Sequence, residues 1–354
     1  MYEYGNTRLR ALKSRLFPRS EIEGFANSSN FDELIDLLLG TSYRRSMEDA
    51  LSWGRGVRAV TRATHFEMTQ LMDRMRDYYE GRSKEMIQRM FRRFDVDNVK
   101  AILRGLGNSL SSEEIAQAFT AFGNFDKKLL MEIAGADDPR AAIDRMASMQ
   151  LELADPLMTY RVERPGAALQ ELEIALERWH VEDAVRELKK PRGEDKAFLT
   201  ALKMDVDLSN LMLVLRFVQT PAQRQLLENE RDKQVADLLL DRGNLSMSRL
   251  MKAAQEDSMA KAVSVFEHSA YDEALANGLQ LHQKTGRLSD IERELRRYRL
   301  ACLRKQIMAD PLGISVPMGV MALKANEGAN IRWVAWGLQM GLPSNEIVAE
   351  LEVS

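Results

Sequence analysis

Asp95-Val96-Asp97-Asn98-Val99-Lys100-Ala101-Ile102-Leu103-Arg104 and Asp207-Leu208-Ser209-Asn210-Leu211-Met212-Leu213-Val214-Leu215-Arg216 carry one pattern at two places in a chain of 354 residues. An acid is followed three residues later by Asn, then by apolar residues at helical spacing and a closing Arg. A third copy reads Glu327-x-x-Asn330-Ile331-x-x-Val334, and a degenerate fourth, Glu3-x-x-Asn6, opens the chain. Successive Asn residues (6, 98, 210, 330) stand 92, 112 and 120 apart. That period is too long for a solenoid and fits tandem helical units of domain size. A chain built by repeating one helical unit makes a shaped body, suited to coupling or scaffolding.

The repeat extends past the signature. Asn98 leads through Gly105-Leu106 to Ile115, and Asn330 leads through Gly337 to Ile347, in both cases 17 residues on. From Asn6 to Ile22 the step is 16. Aromatic–acidic pairs follow at Phe31-Asp32, Phe125-Asp126 and Tyr271-Asp272, lying 25, 27 and 61 residues after the preceding Asn. The long third step implies an insertion within 219–243. The expected units are 1–115, 116–235 and 236–354. Helical periodicity dominates elsewhere: Leu288, Ile291, Leu295, Tyr298 and Cys302 make a 3-4-3-4 seam, and Leu34 to Leu39 run into a stop at Gly40. Leu169, Leu172, Leu176 and Val181 outline a helix after Pro165-Gly166, and Ser20, Ser111 and Ser289, each with Glu three residues on, are capping-box candidates. Alternating strand patterns are scarce, so the expected fold is all-α with short connections. For the acid–x–x–Asn pairs two readings stand: Asp95 and Asp207 as N-caps, or each Asn as a buried amide in a helix–helix contact.

Composition bounds the function classes. An apolar fraction of 45% and a charged fraction of 29% are ordinary for a globular protein, while 20 Met against 9 Pro suit helices. A net charge of −3 makes no case for nucleic acid. The charge is uneven, however. Residues 1–104 hold 19 Lys/Arg against 15 Asp/Glu (+4) and the remainder 31 against 38 (−7). Solvated helix faces, or orientation against charged neighbours, would account for that asymmetry. A single cysteine, Cys302, excludes an internal disulfide and fits a reducing compartment. The first ten residues lack a signal-peptide core, and no run approaches the roughly 18 apolar residues of a spanning helix.

No motif makes an enzyme. His65, His180, His268 and His282 are dispersed with no ligand at i+3 or i+4, and read as exposed or hydrogen-bonded structural groups. Gly54-Arg55-Gly56 and Gly105-Leu106-Gly107 lack a third glycine and a preceding strand, and no Walker loop occurs. Trp333 and Trp336 at i, i+3 are expected to pack inward, with an exposed aromatic docking patch as the alternative. The expectation is therefore no catalytic residue, no cofactor and no metal. In the Arg-rich stretch from Arg293 to Lys305, the interleaved Glu292 and Glu294 imply intrahelical pairs or a protein partner met by charge complementarity. Arg293, Arg296 and Arg297 are the candidate partner-binding residues.

Several segments together resemble a known family. They are Tyr4-Gly5-Asn6-Thr7-Arg8-Leu9-Arg10-Ala11 with Leu16-Phe17-Pro18, the two Asp–x–x–Asn helices, and the close Asp310-Pro311-Leu312-Gly313, Glu327-Gly328-Ala329-Asn330-Ile331-Arg332 and Gly337-x-x-x-Gly341-Leu342. Over nearly its whole length the chain is similar to the C subunit of the prokaryotic V/A-type rotary ATPases, a family whose eukaryotic member is the d subunit of the V-ATPase. It departs at Ala335-Trp336, where the family has an aliphatic–Arg ending, and in the longer 219–243 stretch. The resemblance implies three similar helical domains in a pseudo-threefold funnel. It also implies a non-catalytic central-stalk subunit that receives the axle, caps the membrane rotor ring on its cytoplasmic face and transmits torque for ion transport. Proteins of this kind bind no nucleotide and no metal. A helical scaffold or adaptor unrelated to rotary machines is the competing class, and it would call for a period of roughly 34–47 residues that this chain lacks. An active site assembled from residues no motif reveals is the third.

Overall fold

The computed structural model describes residues 2–120, 122–188, 193–220 and 228–352, and among them every regular element is a helix. The contacts divide the chain into two compact units, one of residues 1–88 with 299–354 and the other of residues 89–298. The expected boundaries at 115 and 235 do not coincide with this division.

The first unit joins the two ends of the chain in one core. It contains α1 (Glu3–Lys13), α2 (Arg19–Ala26), α3 (Phe31–Leu39), α4 (Arg44–Trp53) and α5 (Val57–Tyr78). From the chain end come α18 (Ser315–Gln339) and α19 (Ser344–Glu350). The long α18 packs on α1, α2, α3 and α5. Its Ile331, Val334 and Ala335 meet Ile22, Phe25, Leu34, Leu38, Met47 and Val60, with Ile347 and Leu351 closing the far side. Burying side chains of this size stabilises by about 1.5–3 kcal/mol each, so these helices are held together by their apolar faces. Asn30 caps α3 by accepting from Glu33 N, and Gly40 ends that helix as expected.

The second unit contains α7 (Ser112–Ala116), α8 (Lys127–Ala134), α9 (Pro139–Ser148), α10 (Ala154–Glu163), α11 (Leu169–Glu187) and α12 (Gly193–Gln219). There follow α13 (Glu228–Leu238), α14 (Met247–Ala254), α15 (Met259–Ser264) and α16 (Asp272–Thr285). The unit boundaries fall inside α6 (Gly81–Gly107) and α17 (Leu288–Ala309). Its main core sets Val96, Val99, Ile102 and Leu103 of α6 against Leu130, Ile133, Ile143, Met146, Leu157 and Leu176. Helix starts follow the local chemistry. Ser111 and Glu114 form a full capping box, Asp126 and Asp138 cap α8 and α9, and Ser246 and Ser258 cap α14 and α15. The Ser20 and Ser289 candidates lie inside α2 and α17 instead.

The acid–x–x–Asn pairs are not N-caps. Asp95 sits in the middle of α6, Asp207 in the middle of α12 and Glu327 in the middle of α18. All three acids and their Asn partners are buried. Each amide clasps one residue of a returning backbone segment through both its N–H and its C=O. Asn98 accepts from Thr120 N (2.8 Å) and donates to Thr120 O (2.9 Å). Asn210 does the same with Leu240 (2.8 Å both ways), and Asn330 with Glu352 (2.9 and 3.2 Å). The sequence distances are 22, 30 and 22, so the second copy carries eight extra residues. These fall between Asn210 and Leu240, a stretch that includes 221–227, outside the described residues.

Each acid holds the start of the next helical segment. Asp95 accepts from Asn124 N, Asn124 Nδ2 and Phe125 N, all at 2.9 Å. Asp207 accepts from Asn244 N, Asn244 Nδ2, Leu245 N and the Tyr271 hydroxyl at 2.7–3.0 Å. Glu327 accepts from Phe17 N (2.7 Å) and the Tyr43 hydroxyl (2.9 Å). Helices α2, α8 and α14 begin two residues after Phe17, Phe125 and Leu245, and α3, α9 and α15 begin fourteen after them. From Phe17 to Tyr43 and from Leu245 to Tyr271 is 26 residues. The aromatic–acidic pairs expected to be equivalent are not: Phe31 opens α3, Phe125 precedes α8 and Tyr271 caps α16. The fourth pair differs too, Asn6 bonding Gly313 O (2.9 Å) and the Tyr79 hydroxyl (2.7 Å).

Candidate partner-binding cleft

The second unit carries a cleft of about 450 Å³ walled by α6, α11, α12, α13 and α17. Its lining combines aliphatic residues, Met212, Leu213, Leu238 and Leu295, with charged ones, Arg93, Lys100, Glu173, Glu177, Arg216, Glu292 and Arg296. Apolar and charged side chains lining one concavity are compatible with a protein docking surface.

One wall is set by charge. Cations on α6 meet carboxylates on α11 in antiparallel order: Arg89 with Glu187, Arg92 with Asp183, Arg93 and Lys100 with Glu177, and Arg104 with Glu173. The Lys100–Glu177 and Arg104–Glu173 contacts measure 2.6 and 2.5 Å. Burial alone would raise the Glu177 carboxyl, but Arg93 and Lys100 outweigh it and hold the group below the usual carboxylate range. The basic excess of the chain's first 104 residues is thus partly consumed inside the fold, which neither a solvated face nor an external neighbour had suggested.

The three sequence candidates part company here. Arg296 is exposed at the cleft and pairs with Glu292 at 2.7 Å. Arg297 is part-buried and pairs with Glu294 at 2.6 Å, and Arg293 is 6% exposed with its guanidinium on Asp290 at 2.8 Å. The intrahelical pairs expected from Glu292 and Glu294 are therefore present, and the structure brings only Arg296 to the cleft. None of the cleft residues on α6, α11 and α12 was expected from sequence to meet a partner. The alternating acids of Glu173, Glu177 and Asp183 against the bases of α6 are the signal that would have found them.

Other expectations resolve one by one. Trp333 is partly buried, its Nε1 donating to Ile347 O at 3.1 Å, but Trp336 is 52% exposed, against the inward packing expected of both. Trp336 stands nine residues after Glu327, where the other copies have Arg104 and Arg216. His180 is buried with Nδ1 unpartnered, rather than exposed or fully bonded. Cys302 is half-buried on its helix. Among the described residues no cluster of three His, Cys, Asp or Glu could hold a metal, and no helix is long and apolar enough to cross a membrane.

Two further residues were missed. Gly123 and Gly243 each precede the Asn that donates to the buried acid, and a Cβ there would fall 1.9 Å from Asp95 Oδ1 and 2.2 Å from Asp207 Oδ1. The legible signal is Gly-Asn-apolar-capping residue: Gly123-Asn124-Phe125-Asp126 and Gly243-Asn244-Leu245-Ser246.

Comparison with known proteins finds relatives along nearly the whole chain. The A-type ATP synthase C subunit of Methanosarcina acetivorans is 24% identical over 99% of this chain and 93% of its own length. That of Haloferax volcanii is 26% identical over 99% and 97%, and that of Methanocaldococcus jannaschii 22% over 98% and 85%. The profile of the family described as ATP synthase (C/AC39) subunit matches residues 5–350. The chain therefore belongs to the ATP synthase (C/AC39) subunit family, as a non-catalytic member of a rotary ATP synthase complex.

Proposed function

We propose that this protein is the central-stalk subunit that joins the rotary axle to the membrane rotor ring and carries torque between them. In this reading it lies on the cytoplasmic side, peripheral to the membrane, and takes part in ion transport without catalysing a reaction itself. It is built as three similar helical bundles around a central opening. The first two begin at α6 and α12, and the third begins at α18 and is completed by α2 to α5.

The observation that carries the proposal is the acid–x–x–Asn clasp, made three times with equivalent partners on three long helices. Buried carboxylates that gather backbone N–H groups tie each long helix to the start of the next helical segment. Closely packed helical bundles deform little, which a part transmitting torque requires. Arg296 and Arg297 are proposed to meet acidic partner surfaces, with buried Arg293 steadying the helix through Asp290.

Co-expression with the axle and ring subunits tests the function. The expected outcome is a complex pulled down through either partner, and failure of the wild-type chain to join both overturns the reading. In the same assay Arg296→Glu with Arg297→Glu is expected to weaken recovery several-fold, more so at low than at high salt. Undiminished recovery with an unchanged urea midpoint removes those two residues from the interface.

A further inference from the structure

The first unit contains a second, smaller cavity, of about 220 Å³, whose charged lining is nearly all cationic. Arg15 follows α1, Arg45 lies on α4, Arg74 on α5 and Lys324 on α18, so four segments bring one cation each. Glu67 is the one carboxylate in the lining. It is already engaged, accepting from Ser46 Oγ and facing the Lys324 ammonium at 3.6 Å. Lys324 is further held by Glu327 at 2.8 Å and lies 4.3 Å from the centre of the Tyr43 ring.

The three arginines have no such partner. No carboxylate among the described residues lies within ion-pair distance of Arg15, Arg45 or Arg74, and Arg74 bonds the Gln70 amide oxygen, at 3.1 Å. Acids are close by along the chain but are spent on other cations: Glu48 on Arg44, Asp49 on Arg62 and Asp73 on Arg76. Three arginines lining one concave site, where the single carboxylate is already engaged, match an anion that accepts several charge-assisted hydrogen bonds. The volume suits one or two phosphoryl groups and is small for a peptide segment.

We infer that this cavity binds a multiply charged phosphate-type oxyanion, through Arg15, Arg45 and Arg74, with Lys324 at its base. Such a group can arrive free in solution or as the headgroup of a lipid, and both present the same oxygens to the same arginines.

Calorimetric titration of the full chain with sodium pyrophosphate at low salt tests the site. The expected result is one saturable site per chain, weakened at least tenfold in the Arg45→Gln/Arg74→Gln variant. Arg10→Gln, at an exposed cation outside the cavity, is expected to bind like wild type. All the substituted side chains are exposed, and matching thermal melts establish that the variants fold. In a second arm, sedimentation with phosphatidylcholine vesicles, with and without phosphatidic acid, separates the sources. Co-sedimentation that depends on phosphatidic acid and is lost in the double variant assigns a headgroup. Saturable pyrophosphate binding without it assigns a free anion. Unsaturable heats with no variant-sensitive sedimentation overturn the inference, as does equal weakening by Arg10→Gln.

Discussion

At the scale of single residues, stability is concentrated in the buried amides and acids of the three clasps. Asn98 is buried and satisfies both backbone groups of the half-buried Thr120, and truncating it leaves a donor and an acceptor without their partners. Buried groups so orphaned cost about 1–3 kcal/mol each. Asn98→Ala is therefore expected to lower unfolding free energy by about 2–4 kcal/mol in urea titrations at unchanged slope. A loss under about 0.5 kcal/mol would show that water replaces the amide. The glycines beside the clasps act through absence of bulk. A Cβ at Gly105 would meet Ile115 Cγ1 at 2.3 Å, and one at Gly337 would meet Ile347 Cγ1 at 2.6 Å, so in two copies the same glycine admits the same isoleucine. This pairing was legible, because Gly and Ile recur at one spacing after Asn98 and Asn330. The acids were not. A carboxylate three residues before Asn reads equally well as a cap or as an interior group, and only the true start of α6 at Gly81 separates the two.

At the scale of elements, α6 and α11 are held by opposed charges as well as by apolar packing. His180 lies on α11 among these groups, near Arg93, Arg92, Glu177 and Asp183. Its imidazole is pushed down to about 4, chiefly by burial and then by Arg93 and Arg92, with Glu177 and Asp183 pulling the other way. The folded protein thus keeps His180 neutral, while the unfolded chain protonates it near pH 6.5. Its contribution to stability is complete above about pH 6.5 and is lost as pH falls toward 4. Wild type is expected to lose about 2 kcal/mol more than His180→Gln between pH 7 and pH 5, measured by urea midpoints at each pH. Equal losses in the two proteins would place the imidazole in contact with solvent. The helix itself was readable from its Leu169, Leu172, Leu176 and Val181 spacing. The burial of His180 was not, since a lone histidine carries no periodic mark of its surroundings.

At the scale of the whole molecule, the first unit depends on the chain's last residues. Ile347 and Leu351 are fully buried against it, and Glu352 completes the Asn330 clasp. Removing residues 343–354 is expected to cost this unit about 5 kcal/mol, from two lost aliphatic side chains and an orphaned amide. Hydrogen exchange should then show protection falling across residues 1–88. Retained protection there would mean that α18 alone suffices to close the core. Boundaries at 115 and 235 follow from taking the chain's start as the start of a repeat. In the fold, the helix that opens the third clasp is near the C-terminus and the segment it holds is near the N-terminus.

The amino-acid sequence by itself determined that this protein is helical, that it repeats one device and which family it belongs to, because periodic apolar spacing, capping residues and recurring motifs are local and survive in one dimension. Tertiary structure alone decided that the acids lie mid-helix, that the early basic excess is partly spent on α11, that Arg296 rather than Arg293 reaches a surface and that Trp336 stays in solvent. Each of these depends on which distant segment arrives opposite a given side chain. Burial and pairing are properties of two segments together, and a sequence states only one of them at a time.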